Sequence, residues 1–273
     1  MLDQVVATEE LLQQWIFEEQ KAEVIFALEN EEEVVFALFF HNFSTFLGRA
    51  HGRLDRLPNH RSDPDGSGKI RGTAMKIYDI SQEVFSCAVY PGDPQPERQV
   101  LYSTEVGDLY NLTSFAMCAH NGTHIDAPFH FLHNGRTVDR MDLSHFVGDC
   151  YVTRHSGDVT AEDAQAILHR SGSAERILIA GNATVTAESA EVFAAGHIKL
   201  LGNEGQTVGP ADAPMQVHLI LLSREVALLE GIILKDVPEG RYFLSAAPLN
   251  LGGADGAPCR AYLISWEDNH DTE

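Results

Sequence analysis

The segment HNGTHIDAPFHF, residues 120–131, concentrates side chains that bind metal ions. It contains three histidines and one aspartate, which are His120, His124, Asp126 and His130. Imidazole nitrogens and carboxylate oxygens bind divalent ions at about 2.0–2.2 Å, so the ligands of one ion must lie close together in space. The composition of this segment therefore predicts a metal centre.

The backbone conformation decides whether these ligands can meet. A helix would place His120 and His124 on one face. However, the pair Asn121-Gly122 indicates a turn, and Pro128 would break a helix. In an extended chain the four ligands share one face, but His120 and His124 would lie about 13 Å apart in a straight strand. We therefore expect Gly122 to permit a bend that brings the two histidines together.

Asp126 and His130 have separate expected roles. Asp126 can reach the same ion as the histidines and, because it has two oxygens, can bridge to a second ion. His130 lies beyond Pro128 on the same face, where it is either another ligand or a general acid/base beside the metal. A histidine suits proton transfer because its ordinary pKa lies near physiological pH.

The sequence around this segment predicts an α/β domain. In VTAEDAQAILHRSG, Thr160 is a predicted helix N-cap and Gly172 a helix stop, and the strand-like RILIAG follows. TAESAEVFAAG and HIKLLG then repeat the order of helix and strand. This alternation predicts a sheet that is at least partly parallel, with helices packed against it.

The chain changes character near residues 58–75. PNHRSDPDGSGKIRGTAM is rich in Pro, Gly, Ser and charged residues, which is typical of a flexible linker. We therefore divide the chain into an N-terminal extension, residues 1–74, and a catalytic domain, residues 75–273. The apolar pattern of the extension predicts one or two helices with acidic faces. We expect the extension to be an artefact of gene-start assignment, with the true start at Met75; the alternative is a partner-binding or oligomerisation arm.

Composition limits the partners and the location. A formal net charge of −21 argues against nucleic acid and anionic membranes, because both would repel the chain. The longest apolar run, Val34–Phe40, is far shorter than a membrane span. The four cysteines are scattered without a C-x-x-C pair, and the first residues lack the pattern of a signal peptide. These features predict a cytoplasmic protein with reduced thiols.

Residues 120–131 resemble the signature of the metal-dependent cyclase family, which includes bacterial kynurenine formamidases and isatin hydrolases. That signature is H-x-G-T-H-x-D-x-P-x-H-F, and every fixed position is matched. The resemblance extends over Met75–Ile264 and includes MKIYDIS, YPGDP, VHLILLSREVALLEG and GGADGAPCRAYLI. It implies a single α/β catalytic domain of the swivelling β/β/α type, with a mixed sheet and flanking helices. It also implies a homo-oligomer, either a dimer or a tetramer.

The resemblance implies roles for individual residues. The metal ligands are His120, His124, Asp126, His218 and Glu230. They would hold one or two divalent ions, either zinc or manganese. The ion lowers the pKa of bound water and polarises a carbonyl, so we assign the attacking hydroxide to the metal and proton transfer to His130. Without the resemblance, His218 would be interpreted as a core histidine and Glu230 as a surface group.

The resemblance further implies hydrolysis of a small amide C–N bond, as in an arylformamidase. Tyr90 stands where kynurenine formamidases typically carry Trp, which alters the pocket and adds a hydroxyl. We expect Tyr90, Phe85 and Phe129 to contact the substrate. Two alternatives stay open. One is an isatin-type hydrolase or cyclase acting on a cyclic amide or lactam, and the other is a metal-binding protein without catalysis.

Overall fold

The computed structural model describes residues 22–29, 32–40 and 74–267. The chain divides into two units, Met1–Lys69 and Ile70–Glu273, and each is described by itself. The predicted linker lies outside the described residues, apart from its last two. The domain boundary after residue 74 and the start at Met75 stay predictions.

The first unit contains two paired strands where the sequence predicted helix. Strand β1 (Ala22–Glu29) pairs antiparallel with strand β2 (Glu32–Phe40). The prediction of helices was therefore wrong for these residues. Both segments are rich in β-branched and aromatic residues, which lose side-chain freedom in a helix and fit a pleated strand. The rest of the predicted extension before residue 74 lies outside the described residues.

The second unit contains thirteen strands and three α-helices among the described residues. The strands are β3 (Ala74–Asp79), β4 (Glu97–Tyr102), β5 (Leu112–Ala116), β6 (His124–Asp126), β7 (Val147–Arg154), β8 (Gly157–Val159), β9 (Arg176–Ala180), β10 (Ala183–Val185), β11 (Leu200–Asn203), β12 (Ala227–Glu230), β13 (Gly240–Ser245), β14 (Gly256–Pro258) and β15 (Tyr262–Glu267). The helices are α1 (Ala161–Ser171), α2 (Ala187–Ala195) and α3 (Met215–Leu222). None of these helices is long and apolar enough to cross a membrane.

Nine strands form one mixed sheet in the order β14-β6-β12-β11-β9-β7-β13-β15-β3. The four central strands, β12, β11, β9 and β7, run parallel, and the strands on both sides of them pair antiparallel. Strands β4 and β5 form a separate antiparallel hairpin, and β8 pairs with β10 in parallel. The prediction of an α/β domain with a mixed, partly parallel sheet is confirmed.

The first predicted helix begins and ends where its sequence indicates. The Thr160 hydroxyl accepts a hydrogen bond from the Asp163 backbone N–H, and the Asp163 carboxylate accepts one from the Thr160 N–H. This reciprocal cap satisfies backbone donors that have no partner within the helix. Helix α1 ends at Ser171, and Gly172 follows with φ 59°.

The central strands bury side chains on both faces, which explains their continuous apolar sequences. The buried apolar side chains of this unit form two clusters, one on each face of these strands. One face carries Leu178, Leu200 and Leu229, which belong to the first cluster. The other face carries Ile177, Leu201 and Leu228, which pack with side chains from the three helices. Burial of each such side chain contributes about 1.5–3 kcal/mol to folding. The sheet is thus a rigid support for residues at its β6–β12 side.

Candidate metal centre

Strand β6 presents two of the predicted ligands on one face. His124 and Asp126 alternate with Ile125, which is fully buried in the first cluster. Strand β12 lies beside β6, and the register pairs Glu230 directly with His124. Directly opposed residues have Cβ atoms about 4.5–5.5 Å apart, so this register delivers the Glu230 carboxylate to the site. Glu230 Oε2 lies 3.6 Å from His124 Nε2.

The expected bend at Gly122 is present. Gly122 adopts φ 64°, and a Cβ added to it would lie 3.0 Å from the Cβ of Cys87. A left-handed backbone against a close neighbour requires glycine here. The turn carries His120 back toward β6, so that His120 Nδ1 lies 2.8 Å from Asp126 Oδ1.

Helix α3 supplies the next predicted ligand. His218 is 3% exposed, and its Nε2 lies 3.4 Å from Asp126 Oδ2 and 3.3 Å from Glu230 Oε1. Its position in an apolar helix would otherwise suit a core residue, but its ring faces two carboxylates. The structure therefore brings together all five residues that were predicted to be metal ligands.

The five predicted ligands form two sets that share Asp126, and a third group of metal-type side chains, His120, His130 and Asp255, does not contain it. The first set is His120, His124 and Asp126, and the second is Asp126, His218 and Glu230. Within each set the ligand atoms lie within 4.8 Å of one another. Asp126 directs Oδ1 toward His120 and His124 and Oδ2 toward His218. This is the arrangement that a bridging carboxylate requires.

Hydrogen bonds fix which nitrogen two of the histidines offer. His124 Nδ1 lies 2.9 Å from the carbonyl oxygen of Gly122, and His218 Nδ1 lies 2.9 Å from that of Pro214. A carbonyl only accepts hydrogen bonds, so each Nδ1 carries the proton. Each Nε2 faces the carboxylates and is the nitrogen that can bind a metal ion once it has lost its proton.

The donor set fits a divalent cation. Asp126 and Glu230 are 1% and 2% exposed. In the part of the chain that the structure describes, their ion-pair partners are histidines, and no Lys or Arg neutralises them. Buried carboxylates are stable only when they are paired with or coordinate a cation. Nitrogen and oxygen donors without thiolate suit several divalent metals.

The same carboxylates raise the pKa values of the histidines in the metal-free chain. Burial lowers the pKa of His120, but Asp126 and Asp255 outweigh this effect and raise it to about 10. Burial likewise lowers the pKa of His218, but Asp126 and Glu230 raise it to about 10. Both rings therefore carry a proton at neutral pH until a cation replaces it.

Metal binding at neutral pH is expected to release at least about two protons per chain, because His120 and His218 must each lose one to offer a lone pair. His124 can add to this number, because Asp126 and Glu230 outweigh the effect of burial and raise its pKa as well. Calorimetric titration of the metal-free protein in buffers of different ionisation enthalpy measures this number. Heats that do not depend on the buffer would contradict the expectation.

A cavity of about 270 Å³ opens onto the ligands. Its lining residues are Tyr90, Asp93, His120, His124, Asp126, His130, Phe131, Gln206, Thr207, Pro214, His218 and Glu230. The predicted substrate residue Tyr90 is among them, and its hydroxyl donates to the carbonyl oxygen of Ala211 at 2.9 Å. Phe85 and Phe129 do not line this cavity and are 40% and 39% exposed. Their contact with the substrate stays a prediction.

His130 lies at the cavity wall beside the ligands. It ends a short helical turn, Pro128–His130, and its ring stacks on His120 with centroids 4.0 Å apart. Burial lowers the pKa of His130, which keeps the ring neutral at neutral pH. A neutral imidazole beside a metal centre can accept a proton.

Two residues beside the histidines were not predicted from the sequence. The Phe131 ring lies 4.6 Å from His130 and 4.7 Å from His218, between centroids. Phe131 occupies the last fixed position of the signature, and this was the signal for it. The Asp255 carboxylate contacts both His120 and His130. It follows the ligand segment by more than a hundred residues, and no local spacing indicates it.

Thr123 ties the ligand turn to its neighbours. Its hydroxyl donates to the carbonyl oxygen of Gly231 at 2.6 Å and accepts from the Gln82 N–H at 2.9 Å. Thr123→Val should lower the free energy of unfolding by about 1 kcal/mol, because the Gly231 carbonyl and the partly buried Gln82 N–H each lose a hydrogen bond to the hydroxyl. Urea unfolding measures this change. Thr113→Val on exposed strand β5 is the control, and equal effects of the two substitutions would contradict the assignment.

Comparison with known proteins gives consistent matches. The Cyclase family model matches residues 78–208. A kynurenine formamidase of Erythrobacter litoralis is 33% identical over 71% of this chain and 95% of its own length. A solved protein described as a potential metal-dependent hydrolase with cyclase activity is 32% identical, with a TM-score of 0.61 over 71% of this chain and all of its own. Isatin hydrolase A of Labrenzia aggregata shares the fold at 19% identity, with a TM-score of 0.63 over 71% of this chain and 94% of its own.

Proposed function

Since the chain belongs to the Cyclase family, we propose that it hydrolyses the C–N bond of a small amide, as an arylformamidase does, with a divalent metal as cofactor. One observation carries this proposal. Asp126 offers one oxygen to each of two ligand sets, and a neutral His130 lies against them at the wall of a cavity. A binding site without catalysis has no need of that histidine.

The residues have separate tasks in the reaction. A divalent ion, when bound, polarises a carbonyl oxygen and lowers the pKa of water. The two ligand sets would hold the ion or ions, and the cavity walls orient the amide. His130 accepts a proton as water attacks the carbonyl carbon, and it returns the proton to the amide nitrogen as the C–N bond breaks. The products are an acid and an amine.

We propose two ions, either zinc or manganese. The support is the shared carboxylate of Asp126, whose oxygens face different histidines. Mixed nitrogen and oxygen donors suit both metals. Metal analysis of protein purified without chelators gives the identity and the number of ions per chain.

The proposed substrate is an N-formylated aromatic amine. Its support is the similarity to kynurenine formamidases together with the aromatic side chains of Tyr90 and Phe131 at the cavity. An aromatic ring bound there can stack on these rings or contact them edge to face. A cavity of about 270 Å³ suits a small molecule.

The test compares hydrolysis of N-formylkynurenine and isatin by the metal-loaded protein. Turnover of the formamide that stops with a chelator and returns with zinc or manganese would support the proposal. Turnover of isatin alone would replace it with cyclic amide hydrolysis. Tightly bound metal without turnover of either compound would favour a metal-binding protein.

We also propose that the chain forms a homo-oligomer through hairpin β4–β5 and its connecting turn. Large apolar side chains are exposed along this arm, namely Val100, Leu101, Tyr102, Val106, Leu109, Tyr110, Leu112 and Phe115. Exposed apolar patches of this kind mark interaction sites, and an isolated two-stranded hairpin is marginally stable. A second copy suits it, because a two-fold contact pairs the same patch with itself.

The molar mass of the protein, measured by light scattering as it elutes from a size-exclusion column, tests this assembly. Wild-type protein is expected as a dimer or tetramer, and Leu109→Glu, which places a charge on a fully exposed apolar position, is expected to shift it toward the monomer. A wild-type monomer at micromolar concentration would overturn the proposal.

We propose a cytoplasmic location and a small-molecule substrate, with neither nucleic acid nor a membrane as a partner. All four cysteines, Cys87, Cys118, Cys150 and Cys259, are free, as in a reducing compartment. The net charge of −21 disfavours nucleic acid and anionic membranes as partners.

A further inference from the structure

A third carboxylate contacts the ligand histidines from the loop before β14. Asp255 Oδ2 lies 2.9 Å from His120 Nε2 and 3.2 Å from His130 Nδ1. One oxygen therefore contacts both a metal ligand and the histidine assigned to proton transfer. Asp255 does not belong to the two sets that share Asp126, but with His120 and His130 it forms a third group whose nitrogen and oxygen atoms lie within 4.8 Å of one another.

The loop that carries Asp255 is fixed against the ligand segment. The Asp255 carbonyl oxygen accepts from the Ala127 N–H at 2.9 Å. The following residue is Gly256, where an added Cβ would lie 2.7 Å from Cε1 of His120. The backbone at Gly256 thus packs so closely against His120 that no side chain fits between them. This contact places the neighbouring Asp255 carboxylate beside the ring.

Asp255 completes the orientation of His120. His120 Nδ1 faces Asp126 Oδ1 at 2.8 Å in the first ligand set, which leaves Nε2 to donate its proton to Asp255. The second nitrogens of the other two ligand histidines donate to backbone carbonyls. His120 alone among the three has a carboxylate in this position. A carboxylate partner fixes the ring and increases the basicity of the ligating nitrogen.

Asp255 also determines the tautomer of His130. A carboxylate only accepts hydrogen bonds, so His130 Nδ1 carries the proton and Nε2 keeps its lone pair. That lone pair is the group that can accept a proton from water. The same carboxylate keeps the two rings stacked at 4.0 Å.

We infer that Asp255 is a positioning residue that holds the metal ligand His120 and the proton-transfer residue His130 in one fixed arrangement. The inference rests on the proposed function, in which His120 binds metal and His130 transfers a proton. It extends that function, because one side chain then controls both metal affinity and turnover.

The test is Asp255→Asn, with metal affinity and turnover measured separately. Competition with a chromophoric chelator gives the zinc dissociation constant without any substrate, and we expect affinity to fall about 10–100-fold. At saturating metal, kcat for N-formylkynurenine should fall at least about tenfold while KM is unchanged, as for lost transition-state stabilisation. Asp255→Glu keeps the charge and should recover part of both quantities.

The matched control is Asp93→Asn, which removes a carboxylate from the same cavity without a histidine contact. Equal losses of metal affinity in the Asp93 and Asp255 variants would show that the loss comes from the removal of one negative charge, and this would overturn the inference. Wild-type affinity and wild-type kcat in Asp255→Asn would also overturn it. If wild-type protein hydrolyses no amide, the proposed function fails, while a selective loss of zinc affinity in Asp255→Asn still supports the positioning of His120. Because the Asp255 side chain is 42% exposed, we expect thermal unfolding in chelator to remain near that of wild type.

Discussion

Replacing Asp126 with Asn is expected to remove metal from both ligand sets and amide hydrolysis with it. Asp126 is the only residue common to the two sets. An amide has one oxygen acceptor, so the side chain cannot offer an oxygen to each ion, and its NH₂ group would face a histidine. The ion's stabilisation of the transition state is worth several kcal/mol, so we expect a loss on the order of 10³-fold or more in kcat/KM.

Metal analysis and kinetics check this expectation together. His218→Ala is the informative comparison, because His218 belongs to one set only, and it should retain about half of the wild-type metal. Asp236→Asn, at an exposed carboxylate away from the site, should retain all of it. If Asp126→Asn keeps its full metal content, the bridging role is wrong.

Replacing His130 with Ala is expected to lower kcat about 10²–10⁴-fold, the usual contribution of a general acid/base. The metal content of the two sets that share Asp126 should be unchanged, because His130 belongs to neither of them and groups instead with His120 and Asp255. KM should change little if the ring acts in the transition state rather than in binding the ground state. Steady-state kinetics and metal analysis on the same preparation separate these effects.

The matched control for His130→Ala is His133→Ala. His133 is exposed, lies three residues along the chain and does not line the cavity. We expect its substitution to leave kcat unchanged. A small loss at His130, comparable with that at His133, would show that another group transfers the proton.

Local sequence was sufficient for the ligands that lie close together in the chain. The turn at Gly122 and the alternation of β6 follow from residue types within a few positions, so His120, His124 and Asp126 were identified together. His130 follows by the same argument. The resemblance added His218 and Glu230, and the structure gives the physical reason for Glu230. The β6–β12 register pairs it with His124.

Sequence patterns failed where the outcome depended on distant partners. Acidic residues between the apolar positions of residues 22–40 suggested a helical face, but β-branched and aromatic residues pair there as two strands. Phe131, which was not predicted, lines the cavity, whereas the contact of Phe85 and Phe129 with the substrate stays a prediction. Phe131 lies only two positions after Phe129, and only packing decides which of these side chains faces the cavity.

The sequence by itself determined the α/β framework of alternating helices and strands, and it predicted nitrogen and oxygen ligands and a proton-transfer histidine. Only the tertiary structure decided that Asp126 faces two ligand sets and that Asp255 joins His120 to His130. The physical reason is the separation along the chain over which the interactions act. Backbone conformation and ligand type are properties of neighbouring residues, whereas the approach of β12, β14 and α3 to β6 depends on strand register and core packing, which bring together residues separated by as many as 135 positions.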